Sequence, residues 1–494
     1  MSAGPAAPLY QKALAHFADK PLVTIATGAT CAYLGDERNL REFLVADETA
    51  RHLRAAGHTV FSLLINDSLD PLNYRQLRVG VNKDEKLLAR FEHDCGKPIA
   101  HVADPWGCHP SYAAHFEDAL LERLHGLDCH PTLVSTANLY ERGVYAPYVT
   151  LALEREGEVR AFLEAQFPGY HPDKLFWPLC SHCGYLDQTR VEAVSGGILH
   201  VFCARCDQAS AVPVAAARGK LNWKLDCAAR WSLFNVDAEP FNKAYLEPQA
   251  GAYVVASALR RRFFGGCQDV FPLQYGLVKM DKTLGGALLE TLPGPLLRDL
   301  FVQRPSTDLN LSADLLVTTA SQQNVPPGLS YLNFVKQVLP IWQIAPDALS
   351  PEERDLAVRG ACFARRFLNA PARPRFPNRE RFEEECPFVL RALGDLVGAA
   401  LRLRDSAPDL SYADFHATIK PRVDDLGFHK RAALHRLRLL IGQEQGLPAS
   451  RVLFLLPLDY LRHLAYLLEL PHHAETPLAN RARLLREEIV PIAA

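Results

Sequence analysis

Apolar and β-branched residues run unbroken from Pro21 to Ala26 (PLVTIA), the pattern of a short strand buried on both faces. Apolar residues then recur at helical spacing from Asn39 to Ala56, and Gly57 follows as a stop. The run TVFSLLI at 59–65 reads as a second strand. Strand, helix and strand in this order predict a βαβ unit with a parallel sheet. Ligands of such sheets sit beyond the carboxyl ends of the strands, which places Gly28, Thr30 and the segment Asn66–Asp70 beside one crevice.

Further on, the pattern is mostly helical from about 110 to 165. Between 171 and 219 it changes to paired cysteines, a Gly-Gly turn and short strand-like runs. Strands and helices alternate again from about 221 to 300, and after roughly 310 the chain reads as helical. Amphipathic spacing is clearest at 354–368, 387–404 and 432–442, and the Pro-rich stretches 325–328 and 371–377 read as connections. A chain of 494 residues exceeds one ordinary core. The expected organisation is an α/β catalytic domain in two halves, 1–170 and 220–310, interrupted by an insertion at 171–219 and followed by an all-α domain at 311–494.

Hydrophobic residues make up 48% and charged residues 22%, a globular profile. The formal net charge is −2, so any contact with nucleic acid must come from a local patch. No apolar run reaches membrane-spanning length, and the first twenty residues lack a charged segment followed by an apolar one. The reading is a cytoplasmic protein without a membrane partner. Twelve cysteines without a secretion signal favour thiols and a metal site over a disulfide framework.

Cys180-Ser-His-Cys183 precedes Cys203-Ala-Arg-Cys206 by a spacing suited to a zinc ribbon. Two such knuckles close a tetrahedral set of four thiolates for Zn²⁺, structural because no coordination position stays open. The alternative is four buried thiols. Cys108, His109 and His115 also invite a nucleophile or metal assignment, but no third orienting group is identifiable from sequence.

Several segments together resemble the class I lysyl-tRNA synthetases. They are Asp104-Pro-Trp-Gly-Cys-His-Pro-Ser-Tyr-Ala-Ala-His-Phe116, Leu221-Asn-Trp-Lys-Leu-Asp-Cys-Ala-Ala-Arg-Trp231 with Val236-Asp-Ala-Glu-Pro240, Asn39-Leu-Arg-Glu42, Leu139-Tyr-Glu-Arg-Gly143 and Ile441-Gly-Gln-Glu-Gln-Gly446. The resemblance spans about residues 10 to 465. It implies a Rossmann-type class I catalytic domain with a zinc-ribbon insertion, an all-α anticodon-binding-like domain, and chemistry that activates an amino acid with ATP and Mg²⁺ before transfer to tRNA. It assigns Asn39, Lys279 and Lys282 to catalysis. The amino-acid pocket pattern carries over onto Gly28, Thr30, Cys227, Tyr245 and Tyr275, with tryptophan expected at 227 and histidine at 245. Asp67 and Asp70 follow the second strand and suit either a cationic amine or a turn or helix cap.

The sequence departs from that pattern where ATP is handled. Asp36 and Arg38 stand where the His and Gly of a His-x-Gly-Asn motif are expected, so a carboxylate faces the approaching phosphate. Lys279-Met-Asp-Lys-Thr283 keeps both lysines of the phosphate-binding loop but adds Asp281, and Asn242-Lys-Ala-Tyr245 replaces Gly-Lys-Asp-His. Ordinary lysyl-tRNA synthesis is therefore not the expected activity. Two readings follow: a repurposed amino-acid-activating ligase with an altered amino-acid pocket, or a catalytically inactive paralogue that binds tRNA or a small ligand. The basic strip at 429–438 fits either tRNA phosphates or a solvated helix face.

Overall fold

The computed structural model describes residues 8–35, 37–266, 268–281, 284, 288–326, 328–342, 349–368, 387–427, 430–440, 448–456 and 458–469. The chain divides into two compact units, one of residues 1–281 and 298–310, the other of residues 282–297 and 311–494.

The first unit is built on a five-stranded parallel sheet. Its strands are β1 (Leu22–Ala29), β2 (Thr59–Asn66), β3 (Thr132–Ser135), β9 (Ala238–Asn242) and β10 (Phe271–Tyr275), in the order β10-β9-β1-β2-β3. Register is continuous along the first pair, from Leu22 opposite Thr59 to Ala29 opposite Asn66. The predicted βαβ unit is thus present, with helix α1 (Leu40–Ala55) as its crossover. β3 falls inside a stretch that reads as helical. It has only four residues, none of them fully buried, so no apolar run marks it.

Both faces of the sheet are covered, as a parallel sheet requires. On one face Val45, Ala46, Ala50 and Leu53 of α1 pack against Val23, Ile25 and Val60. On the other, Leu225, Ala228 and Trp231 of α5 (Trp223–Leu233) join Ala26 and Ile65 in a core shared with α6 (Ala252–Phe263). Full burial of a side chain such as Leu53 contributes about 1.5–3 kcal/mol. Chain order reverses between β1 and β9, so the crevice of a doubly wound sheet opens at their carboxyl ends.

Between the halves of the sheet lie β4 (Phe176–Pro178) paired with β8 (Gly219–Leu221), and an antiparallel sheet of β5 (Thr189–Ser195), β6 (Ile198–Cys203) and β7 (Gln208–Pro213). The second unit is helical. The predicted amphipathic segments are the helices Pro351–Phe367, Pro387–Ser406 and Lys430–Leu440, around buried Phe334, Phe363, Leu393, Phe415 and Leu437. Ser350 and Glu353 close a capping box at the first of these. The stretches 371–377 and 441–446, and His429, lie outside the described residues.

Arg41 of α1 ties residues 298–310 to the sheet domain. It is buried and donates to the carbonyls of Gly276 (2.8 Å), Arg304 (2.7 Å) and Phe301 (3.3 Å). Arg41→Ala leaves these carbonyls without their donor, at about 1–3 kcal/mol for each group left unsatisfied. Urea unfolding of the variant should show a loss of at least about 3 kcal/mol, and Arg41→Lys should recover only part of it. Unchanged stability in Arg41→Ala would contradict this role.

Candidate functional site

The crevice holds a cavity of about 460 Å³. Its floor is the end of β1 at Gly28, Ala29 and Thr30, its sides are Asn242 and Tyr275 from the ends of β9 and β10, and its rim is the start of α1 at Arg38, Asn39 and Glu42. Buried Asn66 fixes the strand ends: its Oδ1 accepts from the Cys31 amide (2.8 Å) and its Nδ2 donates to Glu117 (2.6 Å).

Gly28 makes room for a close approach. A Cβ there would lie 3.2 Å from both terminal nitrogens of Arg230, whose guanidinium packs against the strand. Beside it, the Tyr275 hydroxyl donates to Glu42 at 2.8 Å, and the Gly28 amide also bonds to Glu42. Desolvation pushes the Glu42 carboxyl up to about 7, with Glu239 adding to the shift and Tyr275 and Arg230 opposing it. Burial and the adjacent Glu42 also raise the Tyr275 phenol well above its usual range, so it acts as a donor.

Behind the cavity wall lies a buried ion network. Thr30 donates to Asp70 at 2.5 Å, and Lys220 is bonded to the same carboxylate. Lys220 also lies 3.8 Å from Asp67, and Arg230 lies 3.4 Å from Asp67 and 3.7 Å from Glu239. Tyr140 donates to Asp226 at 2.5 Å. Burial, with Asp67 nearby, pushes Asp226 up to about 6. Burial also raises Glu239, and Asp67 and Asp70 hold Lys220 charged against its own desolvation. Asp67 Oδ1, Asp226 Oδ1, the Tyr145 hydroxyl and Arg230 Nε are buried without a hydrogen-bond partner among the described residues. Five carboxyl groups, counting Glu42, therefore share two basic side chains.

The structure brings some of the predicted residues together and separates others. Gly28, Thr30, Tyr275 and Asn39 line the cavity. Asp67 and Asp70 do not line it; they are held by Lys220 and Arg230, and the carboxylate facing the cavity is Glu42, which the sequence reading left without a role. Cys227 is 2% exposed, in the core with Ala26 and Trp231, and is not part of the cavity wall. Tyr245 is exposed on a turn after β9, its ring 6.0 Å from Phe241 and 6.4 Å from Trp223. Lys279 follows the cavity-lining Val278 but does not itself line the cavity. Asp36 and Lys282 lie outside the described residues. Arg38, where glycine is expected, is among the residues that line the cavity.

Among the described residues, two clusters offer a set of metal ligands. Cys180, Cys183, Cys203 and Cys206 converge, with the sulfurs of 180 and 206 and of 183 and 203 each 3.6 Å apart. A tetrahedral ion with metal–sulfur bonds of about 2.3 Å needs nearly that separation. Gly184, at φ +76°, makes the first knuckle turn back. The second cluster is Asp104, Cys108, His109 and His115. The Asp104 side chain is fully buried and accepts from the backbone amides of Trp106, Cys108 and His109. Cys108 Sγ lies 3.1 Å from Asp104, 3.1 Å from His109 and 3.3 Å from His115. Trp106 stacks on His115 at 4.3 Å. The sequence spacing held this signal, but the Asp104 loop, which turns the carboxylate onto the thiol and imidazoles, was not legible from it.

Residues 5–286 match the family model described as tRNA synthetases class I (K). The chain is 30% identical over 240 residues to the lysine–tRNA ligase of Archaeoglobus fulgidus, covering 48% of this chain and 46% of that protein. It is 28% identical over 299 residues to lysine–tRNA ligase 1 of Methanosarcina acetivorans (56% and 53%) and 28% identical over 330 residues to the lysine–tRNA ligase of Thermococcus kodakarensis (62% and 60%). The chain thus spans about half the length of these relatives. With a parallel α/β core, a cavity at its switch point and a match across more than half its length, the chain belongs to the class I tRNA synthetases of the lysine type.

Proposed function

We propose that this chain is an ATP-dependent ligase of the aminoacyl-tRNA synthetase type that activates a cationic amino acid, with the departures at positions 227 and 245 lying outside the cavity wall. The excess of acids in and behind the cavity carries this reading. With Asp67 and Asp70 set against Lys220 and Arg230, ionisation of Glu42, Asp226 or Glu239 leaves negative charge that a zwitterion cannot offset, whereas an amino acid with a basic side chain adds one positive charge. Glu42, held by Tyr275 and Gly28, is the group that meets an ammonium.

ATP and Mg²⁺ are the expected cosubstrates, and tRNA the expected acceptor. Asn39 and Arg38 at the start of α1, with Lys279 beyond β10, supply polar and positive groups for a triphosphate. On the helix Lys430–Leu440, Arg431 and His435 are exposed and available to phosphates. Zn²⁺ suits both clusters, the cysteine set as a structural ion and the Asp104 set as a mixed one. One observation favours the competing reading, a paralogue that binds without activating: the bulk of Arg38 occupies the rim where a glycine would let the nucleotide come close.

ATP–pyrophosphate exchange screened across amino acids should respond to lysine or a close dibasic analogue, and Glu42→Gln should lower the exchange by about tenfold or more. No exchange with any amino acid would remove the ligase reading and leave the paralogue. Affinity for the amino acid should rise between about pH 6 and 8 as Glu42 ionises, and Glu42→Gln should flatten the profile. Stability has the opposite sign: a carboxyl raised in the folded state stabilises it at low pH, and that contribution is lost as the pH rises through about 7.

Metal analysis of the purified chain should find about two zinc equivalents, with Cys203→Ser and His115→Ala each losing one. Retention of full zinc in either variant would reject the corresponding site.

A further inference from the structure

Two lysines flank one edge of the cavity. Lys243 follows the lining residue Asn242, and Lys279 follows the lining residue Val278. A single acid is bonded into this edge. Asp308 accepts from the amide of Leu277, itself a lining residue, through Oδ1 at 3.0 Å, and its Oδ2 lies 3.3 Å from the Lys243 ammonium. The Lys243 side chain is 60% exposed, so Asp308 rather than packing decides where its charge sits.

The backbone delivers Asp308 to this place. The Gly276 amide donates to the Pro305 carbonyl and the Leu309 amide to the Leu277 carbonyl, each at 2.8 Å. A Cβ on Gly276 would fall 2.2 Å from the Thr307 carbonyl and 2.5 Å from the Asp308 nitrogen, so the two segments meet backbone to backbone. Arg41 ties them again through the carbonyls of Gly276 and Arg304. The bond from the Leu277 amide, with Lys243 and Lys279 adding to it, holds the Asp308 carboxyl below its usual range, so it carries its charge at neutral pH. An exposed ion pair of this kind adds little to stability; its consequence is that the lysine already has an anion. A phosphate oxygen would make the same charge-assisted bond to Lys243 that the carboxylate makes.

We infer that Asp308 holds Lys243 in place of a phosphate, so that a polyphosphate entering the cavity must displace the carboxylate to bind, and Asp308 sets its affinity. This deepens the ligase reading and rests on it for the identity of the anion as ATP or pyrophosphate; the competition for Lys243 requires no adenylation. Repulsion of the anion by Asp308 itself is screened at an exposed edge, so the larger part of the effect passes through Lys243.

Calorimetric titration of the full chain with inorganic pyrophosphate tests it. Asp308→Asn keeps an oxygen for the Leu277 amide but removes the charge, and should bind pyrophosphate at least about fivefold tighter than the parent chain. Asp308→Glu, which keeps the charge, should stay within about twofold of the parent. Lys243→Gln should weaken binding, and adding Asp308→Asn to it should gain no more than about twofold. Unchanged or weaker binding in Asp308→Asn, a full fivefold gain in the Lys243→Gln background, or no binding of pyrophosphate by any of these chains would overturn the inference. Because pyrophosphate is titrated without an amino acid, failure of amino-acid activation would not alter this result, and equal affinity in Asp308→Asn and the parent would leave activation standing.

Discussion

The contact between the Arg230 guanidinium and Gly28 organises the unit that carries the parallel sheet. Arg230 rises from α5, meets the end of β1 where a glycine leaves room for it, and is held between Asp67 after β2 and Glu239 in β9. Three strands are thereby tied to one helix by a buried charge. Such a charge is tolerated only where partners surround it, and here the partners outnumber it. Lys220 performs the same task for Asp70 and, through Asp70, for Thr30. The cavity inherits its shape from the switch point of the sheet and its electrostatic character from this network.

That character explains why the altered motifs do not dismantle the site. The changes at 36, 38, 244 and 245 fall at the rim or on an adjoining turn, or, for Asp36, outside the described residues. The groups nearest the strand ends, Gly28, Thr30, Glu42 and Tyr275, keep their bonds to one another and to the network. Cys227 stands where a tryptophan wall is expected but is enclosed by the core, so the exchange alters packing behind the cavity rather than opening its side.

Much of this was legible in the sequence, for identifiable reasons. β1, α1 and β2 are strongly periodic, and they appear with nearly the predicted limits. The four cysteines carry their own spacing, and the fold brings their sulfurs together. What escaped is long-range or weakly patterned. Nothing local links Lys220 to Asp70, 150 positions away, or reveals that the pocket acids already have internal partners. β3 is too short and too exposed to break a helical reading. The Asp104 cluster has a visible set of ligand types, but only the loop geometry turns the aspartate toward them.

The account stands or falls on the charge left over in the cavity. Calorimetric titration with lysine and with norleucine, of equal length but lacking the side-chain ammonium, measures it directly. The account predicts that near pH 8 lysine binds at least about tenfold tighter, a difference of about 1.4 kcal/mol. Norleucine binding as tightly as lysine would contradict it.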